Sequence, residues 1–479
     1  MRVALHLISW SLLLTALWVS GCRKKPDSFV EEGSLDFSTD TIFFDTMFVN
    51  LPSPTERVTV VNNSGNNVLI REIRLESGAE FDMVINAQQG DTIRDFELPD
   101  GDSLVAFVSF KSSQRDVFVR DRLLFTIGDQ TQDVDIEAYV FDAVYYRDTT
   151  LGLDGNTTTY LDPDKRHLID GYMYVPDGHT LFIPAGTQLF FTPRKDADFN
   201  LTSGIYVFGR LLVTGELGKE VVFQGSRFGR RYEETPGQWR GLSFGNLARA
   251  SSISHAVIKN ALIGVYQEYG NPGFGPKITI DKSEIRNMGA YGIASAGFTP
   301  ENYLYPVLRV QNSLIHNCGE GTLAIFGGGK FDFIHSTFAN YTLNFTRNSP
   351  QVYINNYDAD ALVPYACRAT FSNCIIWGSE EDEVVPDSFP AQGIWDVTFH
   401  NSLVRTQEPL KGSNIISSQN QDFPRFVSPL ESAPFERDYR LRENSPAVNI
   451  GQRIPGYDVD KEGLPRDVQP DAGCHEWRP

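Results

Sequence analysis

Four acidic residues in succession, Glu380, Glu381, Asp382 and Glu383, form the densest group of potential ligands in the chain. Carboxylate oxygens are hard donors, so such a run could hold calcium. Asp358 and Asp360 lie between Pro350 and Pro364, and Arg368 and Arg405 are the nearest cations in sequence. Trp377 and Trp395 flank the run, while Trp239 stands in the turn Pro236-Gly-Gln-Trp-Arg-Gly241. An exposed indole stacks on a sugar ring, so all three tryptophans are candidate glycan contacts. The opposing expectations carry more weight. Short acidic runs are mostly solvated loops, and tryptophans are mostly buried, which makes Trp239 a cover for the core edge. Calcium is the one cofactor these residues suggest.

The N-terminus offers a different chemistry. Arg2 precedes an apolar run from Val3 to Trp18, too short and too closely followed by Arg23, Lys24 and Lys25 for a comfortable span. Val19-Ser20-Gly21-Cys22 resembles a bacterial lipobox. That resemblance implies removal of residues 1–21, acylation of Cys22 and attachment to the outer membrane, with the periplasmic or cell-surface face left open. Each buried methylene of an acyl chain contributes about 0.8 kcal/mol, so several chains on one cysteine anchor firmly. Residues 22–34 are charged and aperiodic and read as a tether. A formal net charge of −19 disfavours a nucleic-acid partner. Cys318, Cys367, Cys374 and Cys474 contain no C-x-x-C pair. They are expected as small buried residues, with room for one disulfide and little prospect of zinc.

The elements that must position these groups are strands. Phe (33) and Tyr (19) are abundant, and Gly (40) and Pro (26) punctuate the chain, which together predict an all-β protein. Over residues 35–145 alternation marks 41–45, 57–61, 104–110, 123–127 and 134–140, with turn clusters at 62–67 and 99–102. This spacing predicts an antiparallel β-sandwich, and the segment resembles Ig-like modules of bacterial lipoproteins without a Cys…Trp…Cys core. From 146 to 430 the strands shorten and Pro-Asp-Gly or Pro-Ala-Gly turns crowd between them, as in a solenoid.

Six segments superpose in that region. They begin at His255, Lys282, Asn312, His335, Asn373 and Asn401, at separations of 27, 30, 23, 38 and 28 residues. The second column is small (Ala256, Ser283, Ser313, Ser336, Cys374, Ser402), as a tight corner requires. The fourth is apolar (Ile258, Ile285, Ile315, Phe338, Ile376, Val404), as a stacked core file requires. Asn at the first and last columns suits left-handed corner geometry better than catalysis. His255, His316, His335 and His400 fall at or beside these columns and are expected to be hydrogen-bonded corner residues.

These columns resemble right-handed parallel β-helix proteins of the pectate-lyase-like superfamily. Ser445-Pro-Ala-Val-Asn-Ile-Gly451, Asp458-Val-Asp460, Pro465-Arg466 and Pro470-Asp-Ala-Gly-Cys-His-Glu476 are similar to the closing segment of bacterial surface β-helix proteins. There Asn449 stands where Asp is usual, and Cys474-His475 where Ala-Tyr is. The resemblance implies a β-helix over 146–430 closed by a capping segment, 431–479. It also implies lyase chemistry, calcium holding an acidic sugar while Arg or Lys abstracts a proton, yet no lyase motif matches residue by residue. The paired aspartates, Gly-His-Gly turn and Arg-x-Lys of related hydrolases are missing too. The expected function is therefore binding of a polysaccharide or surface protein by the solenoid face, without catalysis. A polysaccharide lyase and a structural spacer or adhesin are the alternatives.

Overall fold

The computed structural model describes residues 28–49, 55–111, 116–268, 276–297, 306–341, 347–358, 363–389, 394–417, 423–430 and 437–479. The signal segment, Cys22 and Asp360 lie outside the described residues. The chain divides between Asp142 and Ala143 into two compact units.

The first unit has two five-stranded sheets. One orders Leu35–Phe37, Thr55–Asn62, Ser103–Phe110, Phe81–Ile85 and Gln88–Gln89; the other orders Thr41–Phe48, Gln130–Phe141, Val117–Ile127, Val68–Leu75 and Thr92–Leu98. Strict alternation sends Val58, Val60, Leu104, Ala106 and Val108 inward from the first sheet and Val134, Ile136, Ala138 and Val140 inward from the second. Phenylalanine rings bridge the sheets, Phe37 to Phe125 at 5.2 Å and Phe44 to Phe81 at 5.6 Å, where an inter-sheet disulfide would otherwise sit. One pairing corrects the expectation of antiparallel strands throughout: Thr41–Phe48 runs parallel to Gln130–Phe141. These two strands are far apart in sequence, so no hairpin forces them antiparallel.

In the second unit each strand from Arg166–Val175 to Gly321–Phe326 pairs in parallel with the strand three places further along, and parallel stacking continues to Gly412–Ser417, which is a parallel β-helix with three strand files. The first file runs through Gly204–Val207, Gly241–Phe244, Val265–Glu268, Tyr291–Ala296, Gly321–Phe326, Val352–Asn355 and Val384–Asp387. The second runs through Arg210–Thr214, Ser251–Ser254, Ile278–Asp281, Leu308–Gln311, Gly329–Ile334 and Cys367–Ser372. The third holds the sequence repeat: Val221–Gly225, Ala256–Lys259, Glu284–Met288, Leu314–Cys318, Thr337–Asn340 and Ile375–Gly378. All six apolar fourth-column residues are fully buried. In the second file Phe371 stacks between Phe333 and Phe399, at 4.4 and 4.6 Å.

The first column is the corner between the second and third files. All six of its residues hold positive φ, from 45° at His255 to 54° at Asn373, which explains the asparagines there. In the last column Asn260, Asn287 and Asn317 are left-handed as well. The small second column does more than fit the corner. Ser283, Ser313 and Ser402 accept from the backbone N–H of Ala256, Ser283 and Cys374, at 3.1, 3.1 and 3.0 Å. Each hydroxyl donates in turn to the carbonyl two residues back, at 2.7–2.8 Å. His335 is less well satisfied than a corner residue should be: Asn373 Nδ2 lies 2.8 Å from its Nε2, but Nδ1 has no hydrogen-bond partner among the described residues. Burial pushes this imidazole down to about 2, so it stays neutral.

The closing segment does not lie across an open end. From Arg437 it follows the flank of the third file, and Arg466 Nη2 donates to Asn312, Cys474 N to Thr337 and Asn414 Nδ2 to the Ile450 carbonyl, each at 3.0 Å. The reason is apolar: Leu314, Ala339, Ile375, Trp377 and Leu403 point outward there and form a core of their own with Phe426, Tyr439, Leu441, Ala447 and Cys474. The four cysteines are buried and free, and burial raises every thiol.

Candidate functional site

Insertions in the solenoid are not spread evenly. The corner between the second and third files is tight from Ser254 onward, as the left-handed column demands. Long connections fall on the two edges of the first file: 192–203, 226–240 and 341–351 enter it, and 269–277, 297–307, 356–366 and 388–394 leave it. In repeat solenoids insertions gather on one face, which is often the one that binds. The irregular spacing of the repeat is thus one geometric fact, a constant corner facing a decorated file.

Between those edges one column of the first file reads Tyr174, Tyr206, Ser243, Tyr266, Ala294, Ala324, Tyr353 and Val385, in continuous register, with Ala294 and Ala324 buried. Neighbouring positions are one strand spacing apart, ~4.8 Å. The four tyrosines are half-buried. Arg240, half-buried at the corner before Gly241, acts electrostatically on both Tyr206 and Tyr266. Further along, Tyr353 and Tyr357 both donate to Asp387 Oδ2, at 2.8 and 2.7 Å. Phe326 lies between Tyr291 and Tyr353, 6.1 and 5.7 Å away. Burial raises the Tyr206 and Tyr266 phenols, and burial with donation to Asp387 pushes Tyr353 up to about 12. All three are therefore neutral hydroxyl donors near neutral pH, joined to apolar faces, which is a chemistry suited to sugar rings and hydroxyls.

The residues singled out in the sequence are dispersed. Glu383 is fully buried and forms a bidentate pair with buried Arg347, at 2.7 and 2.8 Å. It also accepts from the backbone of Glu380 and Gln351. Burial raises this carboxyl against the pull of Arg347. Asp382 is half-buried and accepts from Thr406 Oγ1 (3.1 Å) and Gln407 N (2.6 Å), closing a turn. Glu381 is exposed, and Asp358 sits in the hairpin of Tyr357–Asp358 with Val363–Pro364. Arg405 is buried and donates to the Gly378 carbonyl. These carboxylates point to separate partners, and the described residues, which do not include Asp360, hold no group of three or more His, Cys, Asp or Glu side chains placed to bind a metal.

Trp239 lies where the weightier expectation put it, and Trp377 is buried as well. Trp239 is fully buried, stacks on Phe191 at 3.9 Å and donates to the Lys259 carbonyl at 2.9 Å. Trp377 is fully buried against Phe423. Neither can meet a sugar. Trp395 is half-buried and packs on the solenoid core.

No family model matches the chain, and no curated protein matches it. Among solved structures it is similar to the catalytic unit of a thermostable GH87 alpha-1,3-glucanase from Streptomyces thermodiastaticus strain HF3-3. The identity is 11%, the TM-score 0.25, and the match covers 76% of this chain and 84% of that one. A likeness of that size transfers no residue and no activity.

Proposed function

We propose that this chain is an exported, lipid-anchored protein that binds a glycan chain along the first file of its solenoid. The observation that supports the reading is the coincidence of two independent patterns, insertions confined to the edges of one file and tyrosines in register along that file. Tyrosines aligned along one file, one to three strand spacings apart, match an extended ligand better than a compact one. Arg240 adds a positive charge amid an acidic protein, which favours glycans carrying some negative charge.

The test is affinity electrophoresis of the detergent-solubilised full chain against neutral and acidic polysaccharides. Retardation is expected with at least one class, and Tyr266→Ala and Arg240→Ala should each weaken it about tenfold, the ~1.4 kcal/mol of one good contact. Retardation by none of the polysaccharides, or variants that bind like the parent, would favour a protein partner or a spacer. The anchor has its own readout. Cys22→Ser should abolish metabolic labelling with palmitate and release the protein from membranes, and a variant that stays labelled would remove the lipid from the proposal.

A further inference from the structure

The insertion 226–238 closes over a cleft of about 250 Å³ at the edge of the third file. Gln224, Arg227, Tyr232, Glu233, Gln238 and Lys259 line it, and the Glu233 carboxylate acts on Lys259 from the roof. Its roof is fixed in place by side-chain amides from below. Asn260 Nδ2 donates to the carbonyls of Glu233 (2.8 Å) and Thr235 (2.9 Å), and Gln238 Nε2 donates to those of Tyr232 (2.6 Å) and Thr235 (2.8 Å). Glu234 is tied down in turn by Asn287 at 2.5 Å and Arg437 at 2.9 Å. A roof held this way is preorganised for a ligand.

Two groups in the cleft are left over. Gln238 is only 5% exposed, and its Oε1 has no hydrogen-bond partner among the described residues. That oxygen lies over Gly225, where a Cβ would meet it at 2.3 Å. Lys259 is half-buried, and its ammonium has neither a hydrogen bond nor an ion pair among the described residues. Burial lowers its pKa. At the rim the Arg227 guanidinium lies 5.3 Å from the Tyr232 ring centre. A desolvated cation and a stranded acceptor both cost free energy until something pairs with them.

We propose that this cleft binds a small polyhydroxylated anion, its acidic group held by Lys259 and Arg227 and one hydroxyl donating to Gln238 Oε1. The volume falls below the ~300–1,000 Å³ of sites for larger ligands, so the occupant is one sugar-sized unit, a sugar acid or a sugar phosphate. The site is separate from the tyrosine face and does not depend on it.

Calorimetric titration of the full chain with glucuronate, glucose 6-phosphate, glucose and sodium sulfate tests the chemistry. Glucuronate or glucose 6-phosphate should bind, and whichever of them does identifies the acidic group. Glucose and sulfate, which each lack one of the two features, should bind at least about tenfold more weakly. Arg227→Gln and Lys259→Met should each weaken binding at least tenfold, and Arg227 is exposed, so its variant keeps the fold if the lysine variant does not. In parallel, reaction of Lys259 with an amine-directed reagent, followed by peptide mass spectrometry, should slow when the binding anion is present. Glucose or sulfate binding as well as the sugar anions, binding by none of the four, or Arg227→Gln binding like the parent would each overturn the proposal.

Discussion

Arg347→Ala should cost the solenoid about 3–5 kcal/mol, the penalty for stranding a buried charge. Arg347 and Glu383 have fully buried side chains, and Arg347 also donates to the Asn340 carbonyl at 3.0 Å. The pair therefore ties the end of the Thr337–Asn340 strand to the turn before Val384–Asp387, at an edge of the tyrosine face. Removing the cation leaves a carboxylate with only two backbone N–H donors, from Glu380 and Gln351. Replacing both partners with apolar residues of similar volume, Arg347→Met with Glu383→Leu, should come within about 1 kcal/mol of the parent or exceed it, since desolvation offsets most of what a buried pair contributes. Because a solenoid is quasi-one-dimensional, the loss should be local. Guanidinium denaturation with hydrogen exchange checks both points. Exchange should quicken first in Thr337–Asn340 and Ile375–Gly378. A single variant as stable as the parent, or a double variant as weak as the single one, would sink the account.

The same pair shows why the acidic run misleads in sequence. Four carboxylates in a row look alike on paper, yet successive residues on a turn point in different directions, and the partner that claims Glu383 lies 36 positions upstream. Nothing local marks Arg347 as that partner. The repeat was legible for the opposite reason. Its corner demands positive φ at one position in every coil, so the chain writes Asn, His or Lys there, and the serine beside it is fixed by contacts to the next coil. Constant geometry leaves a constant column. The tyrosine face left no such trace, because insertions of different length separate Tyr206 from Tyr266 and Tyr266 from Tyr353, and the register emerges only once the coils are stacked. In the sandwich the strands that escaped notice include Val68–Leu75 and Thr92–Leu98, where charged outward positions interrupt the alternation, and Phe81–Ile85, which alternates but is only five residues long. The tryptophans were weighed on the general tendency of indoles to be buried and on their place beside the acidic run, and the closing segment on its likeness to a cap. Both turned on apolar surface that only the folded coil presents.

Trp239→Ala should be as damaging as the loss of Arg347, about 3–5 kcal/mol for emptying a large buried ring site. The indole lies parallel to Phe191, with an interplanar angle of 7°, and belongs to the continuous core that runs through the coils. Its bridge to Ala261 and its Nε1 donation to Lys259 join two successive coils where the 226–238 insertion would otherwise part them. The cavity could not close cheaply, since Leu242 and Phe244 of the same core are fixed by parallel ladders. Trp239→Phe separates packing from hydrogen bonding. It keeps an aromatic face on Phe191 but leaves the Lys259 carbonyl short of one donor, for a cost of about 1–3 kcal/mol. Hydrogen exchange should show the alanine variant opening first at Gly204–Val207, Gly241–Phe244 and Ala256–Lys259, while protection in the first unit, residues 55–111, stays at the parent level. The cleft supplies an independent check. Gln238 precedes Trp239 directly, so the alanine variant should also let the roof over Lys259 move, and amine labelling of that lysine should accelerate several-fold in native buffer. If labelling and exchange are both unchanged, the stacked indole is not what holds this edge of the solenoid together.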